Sequence, residues 1–137
     1  MTRRLVHVVP CSGIGKSLGA VAREAAYVLA EDLRPGKAGV VALSLLVLGD
    51  SDTRAAVAGR AAVAIDGCKL ECAAKGLQAS GAGRVCKVAV FDVVRRYRGL
   101  KPEGVTDLND DGLRLARAAA EEALKFVDEA AGEDDDA

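Results

Sequence analysis

The chain predicts an α/β fold, a single three-layer domain with a mostly parallel four-stranded sheet flanked by helices. Two observations carry this. Short runs rich in Val, Ile and Leu alternate with segments of helical periodicity, the pattern of strands joined by right-handed crossovers. Half the residues are hydrophobic but only 3% are aromatic, so the core is aliphatic, which suits helices packed on a sheet better than two packed sheets. At 137 residues the chain can bury a core without staples. The expected organisation is one domain over residues 1–131 and an acidic, disordered tail over 132–137.

Residues 5–9 form the first expected strand, short and apolar enough to be buried on both faces, and Pro10 ends it. Cys11-Ser12-Gly13-Ile14-Gly15-Lys16-Ser17 is a glycine-rich loop feeding a helix. In that helix Leu18, Val21, Ala22, Ala25, Val28, Leu29 and Leu33 recur on one side until Arg34-Pro35-Gly36 stops it. Residues 40–48 are a second apolar run, read as strand two. Gly49-Asp50-Ser51-Asp52 then supplies a turn and an N-cap for a short helix. Strand three covers 61–65, and a thiol-bearing helix follows over about 68–77, broken by Ser80-Gly81-Ala82-Gly83. Strand four covers 85–94, with Cys86 near its start. Asn109-Asp110-Asp111 caps a last helix that turns Leu113, Ala116, Ala120, Ala123, Leu124 and Val127 to the core.

A formal net charge of −1 argues against nucleic acid or an anionic membrane as the main partner. No apolar run is long enough to span a bilayer. Residues 1–6 briefly imitate a signal peptide, but Pro10 and the glycine loop cut the imitation short. The expectation is a cytoplasmic protein, with homo-oligomerisation left open. In that compartment four cysteines point to metal or redox chemistry more than to structural disulfides.

Parallel sheets bind ligands beyond the carboxyl ends of their strands. That rule brings Cys11, Asp50 and the stretch Asp66-Gly67-Cys68-Lys69-Leu70-Glu71-Cys72 to one edge. If Cys68 and Cys72 open a helix, their Cβ atoms stand ~5–6 Å apart on one face. Zinc needs sulfurs roughly 3.8 Å from one another, whereas a disulfide needs Cβ atoms ~3.5–4.5 Å apart. The spacing therefore favours a shared metal. A helix start also stabilises thiolates, while the Asp66 carboxylate opposes them. Cys86, among Val85, Val88 and Val90, reads as core at the opposite edge.

The Cys11-Ser12-Gly13-Ile14-Gly15-Lys16 loop, Arg23-Glu24-Ala25, Leu48-Gly49-Asp50 and Ile65-Asp66-Gly67-Cys68 followed by Cys72-Ala73 together resemble the DGC-motif family. These are small prokaryotic proteins named after the central Asp-Gly-Cys and inferred to bind zinc. The resemblance runs nearly the whole way to the fourth strand. It implies a Zn²⁺ site of up to four cysteines, carried here onto Cys11, Cys68 and Cys72, with Cys86 the candidate for the fourth. It implies no particular reaction.

Two other chemistries compete. Cys11 ahead of a tight loop and a helix has the layout of a nucleophile at an anion site, as in arsenate reductases and thiol phosphatases, with Cys68 and Cys72 as a redox relay. The clamping Arg of such loops is absent, and Lys16 and Ser17 stand there instead. Ser12, Gly13, Gly15, Lys16 and Ser17 also form a degenerate phosphate-binding loop, with Asp50 or Asp66 imitating a metal-side Asp. Pro10 replaces its first glycine and removes a donor. Gly13, Gly15 and Gly19 make only a weak dinucleotide fingerprint. His7, the only histidine, reads as a satisfied interior residue, and Arg95-Arg96-Tyr97-Arg98 as solvated surface.

Overall fold

The computed structural model describes residues 5–11, 17–67, 70–104 and 107–135. Its centre is a four-stranded, fully parallel sheet in the order β2-β1-β3-β4, built from β1 (Val6–Pro10), β2 (Ala38–Val40), β3 (Ala62–Asp66) and β4 (Val85–Ala89). The expected α/β architecture is the one adopted. His7 pairs with Ala62 and Pro10 with Ile65; Ala62 pairs with Val85 and Ile65 with Val88. β1, β3 and β4 are thus in step, while β2 adds only three rungs at one edge.

Side chains alternate between two cores, as they must on a sheet covered on both faces. On one face Val6, Val8, Val63, Ile65 and Val88 pack against helices α1 (Ser17–Tyr27), α5 (Val90–Arg96), α6 (Asp110–Glu121) and α7 (Leu124–Asp135). Helices α1 and α6 pack together, and the core they share includes Ala22, Ala25, Ala26, Ala116, Ala119 and Ala120. On the other face Val9, Ala62 and Ala64 meet α2 (Leu43–Leu48), α3 (Ser51–Val57) and α4 (Cys72–Ala79). Among the described residues no helix is long and apolar enough to cross a membrane.

Helix α1 has the core side its periodicity predicts, and continues as π-helical turns over Val28–Leu33 before Arg34. Arg34 donates from Nε and Nη2 to the two carboxylate oxygens of Asp128 on α7, at 2.6 and 2.9 Å, and the guanidinium holds that carboxyl below its usual range.

Several expected elements change. The run 40–48 is not a strand: β2 ends at Val40, and Leu43–Leu48 forms α2, with Leu43 and Leu46 buried one turn apart. Gly49, at φ +80°, closes that helix in the left-handed conformation that L side chains resist. Likewise β4 stops at Ala89, and residues expected to prolong it wind into α5. A continuous apolar run does not distinguish a buried strand from a short buried helix, which is why both were read as strands.

The last helix is two, broken at Glu122 and Ala123. Asn109 caps α6 as expected, accepting from the Gly112 N–H at 2.8 Å. Leu113 is exposed and Leu115 takes the core position instead. α7 runs through the first residues of the acidic segment to Asp135.

Candidate functional site

The chain leaves β1 for β2 on one side and places β3 on the other, so the connections diverge between the carboxyl ends of β1 and β3. Such a switch point opens a crevice between the outgoing loops. Cys11 is the residue after β1, and its N–H still reaches the Ile65 carbonyl at 2.9 Å, keeping it in step with β3. Its side chain is buried, and the sulfur accepts the Gly67 N–H at 3.1 Å.

Gly67 does not stand there for a left-handed turn, since its φ is not positive. A Cβ would come within 2.8 Å of the Leu18 carbonyl oxygen and 3.0 Å of the Gly19 nitrogen. Backbone cannot yield as a flexible side chain can, so glycine alone lets the exit of β3 lie against the first turn of α1.

Asp66, also buried, accepts the N–H groups of Ala73 at 2.8 Å and Ala74 at 3.2 Å, and so caps α4 from seven and eight residues away. Burial pushes its carboxyl pKa up, and the two amides pull it back in part. Residues 7–110 match the DGC domain. The chain belongs to the DGC domain family. No curated protein and no solved structure matches it.

The Asp and Gly of this DGC domain thus have separate physical tasks, one anchoring a helix and the other permitting a close approach. Helix α4 starts at Cys72, later than the start at about residue 68 that the sequence suggests. Glu71 precedes it in the left-handed region, φ 54° and ψ 44°, which is uncommon for a residue with a Cβ. Its side chain pairs with Lys87 of β4 at 3.7 Å. Cys72 is exposed at the first position of α4.

Cys68 lies outside the described residues, as do Ser12, Gly13, Gly15 and Lys16; Ser17 opens α1. Among the described residues no three His, Cys, Asp or Glu side chains form a metal-binding group.

Cys86 is not brought to this edge. It pairs with Val63, whereas Cys11 stands beyond the rung that links Pro10, Ile65 and Val88. Three residues along the strand direction is about 10 Å, with two strand spacings of about 4.8 Å across the sheet besides. Zinc-bound sulfurs stand roughly 3.8 Å apart. Cys86 packs on the core, and burial pushes its thiol pKa up.

Asp50 is likewise displaced. With β2 ending at Val40, it follows α2 and spends its carboxylate on α3, accepting from the Thr53 N–H at 3.0 Å and hydroxyl at 2.6 Å. Those bonds hold its pKa low. His7 is not satisfied as expected: its Nδ1 is buried without a partner among the described residues, and burial, then the charge of Arg60, lowers its pKa. Arg95, Arg96 and Arg98 are exposed, on and just beyond α5 rather than at a strand end.

Sequence reasoning missed the capping role of Asp66 because cap rules look three residues ahead. Here a loop intervenes before the helix.

Proposed function

We propose that this protein binds zinc through Cys11, Cys68 and Cys72 at the carboxyl edge of the sheet. The observation that carries the reading is the Gly67 N–H donated to the Cys11 sulfur. It joins the exit of the first strand to an Asp-Gly-Cys stretch 56 residues further on. The donor set is chemically apt, because zinc favours soft thiolates. An amide aimed at sulfur suits a thiolate ligand, whose lone pairs accept while no S–H remains to be placed. Outer partners of this kind orient metal ligands.

The family resemblance supports the same reading. With Cys86 about three rungs back, the chain offers three thiolates, and zinc held by three protein ligands keeps a fourth position for water or another ligand.

The test is elemental mass spectrometry on anaerobically purified protein, with free thiols titrated before and after chelation. About one zinc per chain is expected. Cys11→Ser, Cys68→Ser and Cys72→Ser should each lower retention, and full retention in Cys68→Ser would sink the proposal.

A thiol redox enzyme with Cys11 as nucleophile and Cys68 or Cys72 as relay is the second reading. The exposure of Cys72 favours it as a resolving thiol, but the burial of Cys11 disfavours attack on an external substrate. That reading requires a metal-free protein that forms a disulfide in mild oxidant. A third, phosphate held by Ser12, Gly13, Gly15, Lys16 and Ser17, requires binding of inorganic phosphate that survives alkylation of every thiol.

A further inference from the structure

At the carboxyl ends of β3 and β4 lies a depression of about 280 Å³. Its apolar wall is Val88, Ala89 and Phe91, and buried Asp66 reaches it from β3. Among the described residues four further charged side chains line it. Two of these, Glu71 and Lys87, already pair with one another. The other two, Asp92 and Arg95, stand three residues apart on α5.

Opposite charges at that spacing on a helix ordinarily meet. Here the Arg95 guanidinium lies over the Phe91 ring instead, 5.7 Å from its centroid. Among the described residues neither Asp92 nor Arg95 makes an ion pair. The depression therefore presents the Asp92 carboxylate and the Arg95 guanidinium from one helix, the guanidinium lying on the Phe91 ring.

We propose that this depression binds a small zwitterion of the α-amino-acid class. Its carboxylate takes Arg95, which is built to grip carboxylates with two parallel N–H bonds. Its ammonium takes Asp92, and an apolar side chain lies along Val88, Ala89 and Phe91. The balance of signs selects for both charges at once. A simple anion meets Asp66, Glu71 and Asp92, and a simple cation meets Lys87 and Arg95, so each is opposed by part of the lining. The volume suits a single amino acid better than a larger ligand. None of these groups is a thiol, so the inference stands apart from the zinc reading.

The experiment is a calorimetric titration of the intact protein with leucine, N-acetyl-leucine and leucinamide. The two blocked compounds remove one charge each, and mimic the carboxyl and amino termini of a peptide. Leucine should bind, and each blocked compound should bind at least roughly tenfold more weakly. Arg95→Gln and Asp92→Asn, both at exposed positions and checked for wild-type circular dichroism, should lose leucine affinity by a similar factor while keeping wild-type zinc content. Leucine binding should survive chelation of zinc. No binding of leucine, equal binding of either blocked compound, unchanged affinity in Arg95→Gln, or binding that vanishes with the metal would each overturn the proposal.

Discussion

At the carboxyl end of the sheet a thiol and a carboxylate, Cys11 and Asp66, are buried with backbone N–H groups aimed at them. At the amino end a thiol and an imidazole, Cys86 and His7, are half-buried, and the imidazole Nδ1 has no partner among the described residues. The difference follows from parallel strands. Every strand delivers its carboxyl end to a loop that enters a helix, and the first turn of a helix carries N–H groups without intrahelical acceptors. Asp66 takes two such donors and Cys11 takes one from the loop itself, whereas among the described residues Cys86 and His7 Nδ1 take none. Similar groups are thus hydrogen-bonded by backbone at one end and left to the packing at the other.

Asp66→Ala would break the contrast most severely. It strands two buried amides at the start of α4, and loses about 3 kcal/mol even though relief of a buried charge offsets part of the cost. A urea melt should show the midpoint falling at unchanged slope. If the midpoint stays put, Asp66 is not what anchors that helix.

Gly67→Ala should cost about 2 kcal/mol, because the new methyl meets the backbone of α1 rather than a movable side chain. An unaltered melting profile would mean that the two segments separate freely.

His7 tests the amino end through pH. Its folded pKa lies below that of the unfolded chain, so the fold resists its protonation. Stability is complete above the unfolded value near 6.5, and declines as pH falls through it toward the folded value. In His7→Val that decline should disappear from stability measured between about pH 7 and 5; a decline of equal size would assign it to other groups.

The smallest effect is expected from Cys86→Val, a swap of similar size within the core that shifts stability by less than about 1 kcal/mol. Zinc content should remain at the wild-type level. A loss of metal in this variant would dissolve the distinction between the two ends.

The sheet, its parallel sense and the meeting of Cys11 with Gly67 at the exit of β3 were legible because alternation and strand exits are local signals. The helical nature of residues 43–48 and 90–96 was not, since Leu-Ser-Leu-Leu-Val-Leu and Val-Phe-Asp-Val-Val carry too few turns to show a period. The task of Gly67 was not legible, because its constraint comes from Leu18 and Gly19, which are distant in the chain. Asp66 was read through its charge, while its main partners are amides beyond a loop that no short-range rule spans. The paired and unpaired charges around the depression depend on β4 ending at Ala89, and the reading of 85–94 as one strand concealed them.

The single proton between Gly67 and the Cys11 sulfur also makes the site observable without any assay of turnover. An amide that points at sulfur senses what the sulfur carries. Alkylation, oxidation or a bound metal each change the electron density that the proton meets, and with it the resonance of one backbone group and its rate of exchange with solvent. Gly67 is a reporter written into the main chain, readable in a nitrogen–proton spectrum of the unmodified protein.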